Sequence, residues 1–137
     1  MSRIHLGKLL VASICSLMLV MGISRFAMTP LLPAMQTALS LSDTAAGLLA
    51  AANYAGYLSG ALLASRLTQP TVKLRYYRLS MVFAVLTTLA MGLDDHLSFW
   101  LAMRFIGGLT SAGGMVIGTA IVLDHLKHVQ RTDLIGI

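Results

Sequence analysis

The sequence contains no glutamate, and its 137 residues include only five aspartates. Charged residues make up 11% of the chain, whereas a soluble domain carries about 25% because its surface must face water. That shortage excludes a water-exposed globule and, with it, a soluble enzyme. Cysteine is nearly absent as well. Cys15 stands alone inside the first apolar run, so no internal disulfide can form, and the residue reads as a small packing group. Histidine is scarce where chemistry would need it: His5, His96, His125 and His128 all fall near the ends of apolar runs. None stands at metal-ligand spacing with a cysteine or glutamate, so neither a metal nor a cofactor is expected. No serine or threonine within a run pairs with a histidine base, and catalysis is not indicated.

What the chain has in quantity is apolar length, 57% of its residues. Four stretches can be read, at about 9–39, 44–65, 76–93 and 97–123. At about 20 residues per crossing, 137 residues allow four transmembrane helices and no separate soluble domain. The expected fold is therefore all-α, a polytopic membrane protein whose first partner is the lipid bilayer. The first stretch imitates a secretory signal. It continues as Phe26-Ala27-Met28 through Leu31 and Leu32, however, instead of giving way to a polar mature chain. One long helix is the reading that results, with Pro30 and Pro33 bending or ending its last turns. Ser42 or Asp43 is placed to cap the second helix.

The net charge of +5 does not point to nucleic acid, because the cations form no single patch. Arg3 and Lys8 precede the first helix, and Arg66, Lys73, Arg75 and Arg78 sit at or within the connection between the second and third. Lys127 and Arg131 come after the fourth. The two other connections hold Asp43, Asp94 and Asp95. Every loop cation thus falls on one side, which the positive-inside rule makes the cytoplasm, with both ends of the chain inside.

Helices in lipid associate by close backbone approach at small residues. The second stretch carries Ala52, Gly56, Gly60 and Ala64 at four-residue spacing, one face of a helix. The fourth carries Gly107/Ser111, Gly108/Ala112 and Gly114/Gly118 at the same spacing, so a tight bundle is expected. Two cations remain inside spans, Arg25 and Arg104. An arginine at mid-bilayer costs roughly 2.5–3.5 kcal/mol on insertion scales and normally faces a cavity or an anion. No carboxylate of this chain lies at matching depth, so the partner is a backbone carbonyl, an anionic substrate or an acid on other polypeptide. Arg25 reads as a group for substrate or a coupling carboxylate, or as a brace between helices. Asn53, Tyr54 and Tyr57 can hydrogen-bond a polar ligand, or serve as glue between helices.

Two phrases then resemble a known family. Gly22-Ile23-Ser24-Arg25-Phe26-Ala27-Met28-Thr29-Pro30-Leu31-Leu32-Pro33 ends like the first helix of twelve-span major facilitator superfamily transporters. Arg104-Phe105-Ile106-Gly107-Gly108 is similar to the superfamily's fourth-helix motif, in which an intramembrane arginine precedes a glycine by four residues. With Asn53-Tyr54 and Gly56-Tyr57 added, the chain looks most like the YbfB/YjiJ branch, bacterial inner-membrane proteins of unassigned substrate. The resemblance implies a secondary active, proton-coupled carrier of small solutes, with Arg104 in coupling and Arg25 lining the central cavity. The family's loop aspartate after the second helix has no counterpart beside Arg66, which puts its gating role in doubt here. Residues 1–137 would be part of the N-terminal half of a facilitator domain, one three-helix repeat and the first helix of the next. Such a truncated piece is expected to need the parent's remaining helices and to be inactive alone. The alternatives are a self-sufficient four-helix dimer like the small multidrug exporters, or a membrane subunit that transports nothing. The exporters' first-helix carboxylate is missing here.

The charge partition yields a direct test. Tags inserted singly at Arg75 and Asp95 should be reached by impermeant reagents from opposite faces of the membrane. Labelling of both from the same face would refute the arrangement.

Overall fold

A computed structural model describes residues 3–26 and 28–128, with the side chains of 7–8, 11–22, 26 and 28–124. Among these residues every regular element is helical. The first run consists of α1 (Arg3–Leu17), a π-helical stretch (Met18–Phe26) and α2 (Met28–Leu39). After it come α3 (Asp43–Arg66), α4 (Pro70–Ala90) and α5 (Leu97–His128). The connections are residues 40–42, 67–69 and 91–96.

Three boundaries depart from the sequence reading. The first run starts at Arg3, so Lys8 lies within α1 and not before it. The run ends at Leu39 as read, with α2 continuing past Pro30 and Pro33. A proline clashes with the carbonyl four residues earlier, and for Pro30 that residue is Phe26, the last of the π-helical stretch. The irregularity therefore lies on the N-terminal side of the prolines. The third helix begins at Pro70 and not near Tyr76, since a proline is already shaped for the first helical position. Lys73, Arg75 and Arg78 are in consequence exposed or half-exposed residues of α4's first turns, not of a loop. Likewise α5 runs through Lys127 to His128, whereas Arg131 and Asp133 lie outside the described residues.

Two helices, Asp43–Arg66 and Leu97–Asp124, are long and apolar enough to cross a membrane. The three cations near its start keep α4 from that measure, and among the described residues the first run contributes the shorter apolar segment Val11–Gly22.

Side-chain neighbours fix the direction of each run. Gly56 lies against Phe105 and Gly60 against Leu109, so α3 and α5 run parallel. Met81 approaches Gly114 and Tyr77 approaches Gly118, so α4 runs antiparallel to α5. Val20 packs at Gly114 while Met28 packs with Leu49 and Trp100, which makes the first run antiparallel to α5 too. The connections 40–42 and 91–96 therefore share one end of the bundle, and 67–69 lies at the other.

Burial is inverted relative to a water-soluble protein. Ser80, Thr87, Thr110, Ser111 and Ala112 are buried, whereas Leu58, Leu62, Val82 and Leu89 are exposed. Lipid tails offer no hydrophobic drive between helices, so large side chains point outward and small ones pack. The buried hydroxyls of Thr87, Thr110 and Ser111 bond back to their own helices. Thr87 Oγ1 donates to the Phe83 carbonyl at 2.8 Å and Ser111 Oγ to that of Gly108 at 2.8 Å.

At the carboxylate-bearing end the turns are pinned. Ser42 is the cap of α3, its Oγ accepting from the Ala45 N–H at 3.2 Å. Asp43 instead accepts from Gln36 Nε2 at 2.8 Å, tying the end of α2 to the start of α3. Trp100, buried, donates Nε1 to the carbonyls of Asp94 (2.6 Å) and Met91 (3.1 Å) and so holds the 91–96 turn against α5. In that turn Asp94 Oδ1 meets the His96 backbone N–H at 3.0 Å and Nδ1 at 2.5 Å. The hydrogen bond to Asp94 raises the His96 pKa, and the same bond lowers that of Asp94.

These opposite shifts give the contact a pH window. The histidine's share of the contact is complete below the ordinary imidazole value and fades as pH rises through the raised one. The carboxylate's share holds above the ordinary carboxylate value and fades as pH falls through the lowered one. Replacement of Asp94 by Asn should move the His96 midpoint, tracked by imidazole NMR, down toward an unperturbed histidine. An unchanged midpoint would refute the contact.

Candidate functional site

Between α3 and α5 the contact is made by backbone. A β-carbon built at Gly56 would overlap the Phe105 carbonyl, and one at Gly60 would overlap that of Leu109. From the other side, a β-carbon at Gly108 would overlap the Asn53 carbonyl and stand 2.9 Å from the Tyr57 nitrogen. Contacts below about 3 Å with rigid backbone cannot be relieved by a rotamer change, so these three positions set the helix separation.

The small residues singled out in the sequence fall at different places. Gly56, Gly60 and Ala64 are buried on the α3 face, but Ala52 is only half-buried, and Asn53 takes the neighbouring buried position beside Leu49. On α5, Gly107, Gly108 and Gly114 are buried, the last against Val20 and Met81, while Gly118 is half-buried against Tyr77. Gly113, absent from the sequence reading, receives Ser80 and Tyr76 of α4. It escaped notice because its four-residue neighbours are not small residues.

One turn from the α3–α5 seam lies a cleft of about 170 Å³. Arg104 from α5, Asn53 and Tyr54 from α3, and Thr29 from α2 supply its polar lining. Phe26, Met28, Leu32 and Leu49 supply most of the apolar lining. Arg104 and Asn53 are each 8% exposed, so a guanidinium and an amide face one another's helices inside the bundle. Asn53 Oδ1 has no hydrogen-bond partner among the described residues. Tyr54 stands at the rim, 58% exposed. Of the five polar residues picked from the sequence, three thus share this cleft. Tyr57 does not line it. Its hydroxyl donates to Met115 Sδ at 3.1 Å across the seam. The side chain of Arg25 lies outside the described residues, although its chain neighbour Phe26 lines the cleft.

The apolar half of the lining was not foreseen. Its only signal in the sequence is the proline-rich segment after Arg25, which carries Met28 and Leu32 toward α3 and α5. No group of three or more His, Cys, Asp or Glu is placed to hold a metal among the described residues.

Residues 17–137 match the protein family described as "Uncharacterised MFS-type transporter YbfB". The match takes in the cleft and the α3–α5 seam, and the chain belongs to this family of membrane transporters. None of the curated proteins and none of the solved structures matches it.

The seam predicts a contrast between two glycines of α3. Gly60→Leu should force α3 off α5 and cost about 1–3 kcal/mol or more, as overpacking does. Gly47→Leu points into open space and should be neutral. Thermal unfolding in detergent measures both, and equal effects would contradict the seam.

Proposed function

We propose that this chain is the solute-binding part of a secondary active, proton-coupled transporter of small solutes in a bacterial inner membrane. The family supports transport in general. The observation that carries the finer reading is Arg104, a buried cation in a cleft where the first run, α3 and α5 meet. A guanidinium held inside lipid is stabilised only by an anion, by carbonyls or by water, and it makes whichever anion is present worth binding. Coupling arises if a solute and a protonatable carboxylate compete for that guanidinium. The carboxylate that loses contact with the cation becomes a weaker acid and takes up a proton. No carboxylate lines the cleft among the described residues, so that acid belongs to the solute or to other polypeptide.

In the facilitator plan the substrate sits between two six-helix halves, each built from inverted three-helix repeats. The cleft would then be one wall of the cavity, with the opposing wall supplied by further helices, and Arg25 would add a second cation to it. All four helical runs would cross the membrane, the less apolar ones as members of the bundle. The end that carries Lys8, Arg66 and Lys73 would face the cytoplasm, together with both ends of the chain, and the end with Asp43, Asp94 and Asp95 would face outward.

The test uses the protein expressed from its native locus. Single solutes from a panel of sugars, amino acids and organic acids are added to lightly buffered cells while external pH is recorded. One class should evoke a proton movement that Arg104→Gln abolishes and Arg104→Lys keeps in part, because Lys retains the charge and loses the planar fork. A panel in which no solute moves protons beyond a deletion strain would reject the proposal.

A further inference from the structure

The cleft also limits what can occupy it, and we infer that its ligand is a small organic monoanion with a compact apolar body and a hydrogen-bond donor. This rests on the cleft being the solute site proposed above and specifies its chemistry.

Three observations converge on that class. The first is charge. Arg104 is the only residue charged at neutral pH among those that line the cleft. A cationic ligand would meet a like charge where water screens poorly, and an anion would meet its complement. A second negative charge would lack a counterpart among these residues. The second is the orphan acceptor. Asn53 is nine-tenths buried and lines the cleft, yet Oδ1 receives no hydrogen bond within the described residues. A buried acceptor that meets no donor is destabilising, so a ligand that brings an O–H or N–H to it satisfies a group that the surrounding helices do not. The third is size and surface. About 170 Å³ is close to the roughly 150 Å³ of an apolar cavity that takes up benzene. Phe26, Met28, Leu32 and Leu49 offer apolar surface for a body of that size.

Trp100, the single tryptophan of the chain, makes the inference measurable. It packs with Met28 and Leu49, and both of those residues also line the cleft. Its fluorescence therefore reports on the cleft wall from behind. Three probes transparent at the excitation wavelength differ by one feature each: trans-4-hydroxycyclohexanecarboxylate, cyclohexanecarboxylate and cyclohexylmethylammonium. They are titrated into the purified chain in detergent.

The hydroxy acid should shift the emission saturably and bind roughly 3–10-fold tighter than the plain acid, the value of one well-made hydrogen bond. The ammonium should give no saturable shift. In Asn53→Leu the two acids should bind alike, and in Arg104→Gln both should weaken while circular dichroism stays helical. The wild-type series decides the matter even if a variant fails to fold. Binding of the ammonium as tight as that of the acids, equal binding of the two acids, or no saturable shift with any probe would overturn the inference. Acid binding without solute-evoked proton movement would remove the transporter reading and leave the ligand class standing. Proton movement evoked only by cations or sugars would do the reverse.

Discussion

Everything in this bundle depends on the α3–α5 seam, where two helices touch through backbone because three positions lack a β-carbon. In water such helices would be driven together by burial of large side chains. In lipid that drive is missing, and the remaining attraction is close van der Waals packing plus hydrogen bonds between helices. Gly56, Gly60 and Gly108 let the carbonyls of Phe105, Leu109 and Asn53 come to contact distance. The same choice explains the inverted exterior, since Leu58 and Leu62 leave α3 on the side away from α5. It also makes parallel alignment of α3 and α5 a matter of register and not of loop length, because α4 intervenes between them.

The seam is also the origin of the cleft. With Gly108 pressed on the Asn53 carbonyl, the next turn of α5 presents Arg104 toward the turn of α3 that carries Asn53 and Tyr54. The third wall comes from the first run. There the π-helical stretch ends at Phe26, and α2 resumes with Met28, Thr29 and Leu32 on the cleft side. A π-helical turn in place of a regular one rotates the helix beyond it, and such turns gather at functional positions. The irregular part of the first run and the buried cation of α5 therefore belong to one construction, although 78 positions separate Phe26 from Arg104.

Much of this was legible in the sequence, for a physical reason in each case. A helix repeats its face every three to four residues, so Gly56, Gly60 and Ala64 announced a packing face by spacing alone. An arginine in an apolar run is costly enough to single itself out, and Arg104 does lie buried in the cleft. Spacing could not give the crossing of two helices. Ala52 fits the four-residue ladder, yet Asn53 is the more buried residue, because α5 meets α3 at a slant to that ladder. Gly113 belongs to a different contact, with Ser80 and Tyr76 of α4, and no periodicity within α5 reveals which of its faces meets which neighbour. Helix starts were misplaced where hydropathy and local chemistry disagree. The third apolar stretch starts near Tyr76, but Pro70 can open a helix while Lys73, Arg75 and Arg78 still carry charge.

That last disagreement bears on how the cations are held. A loop cation is free to move, whereas cations in the first turns of a helix stand at fixed angles around it. Lys73 lies in the α4 turn that borders a second, open groove, where Pro70 also faces Ile121 and Asp124 of α5. Arg75 and Arg78 point away, exposed. Positive charge at this end is thus built into a helix that packs on α5 and is not carried by a tether. At the opposite end, Trp100 and Ser42 fix turns that carry Asp43, Asp94 and Asp95. Under the proposed topology, charges fixed at the two ends of the bundle set its orientation, with the cation-bearing end facing inward. Since the α3–α5 seam lies along the same axis, that orientation also decides which way the cleft at Arg104 faces.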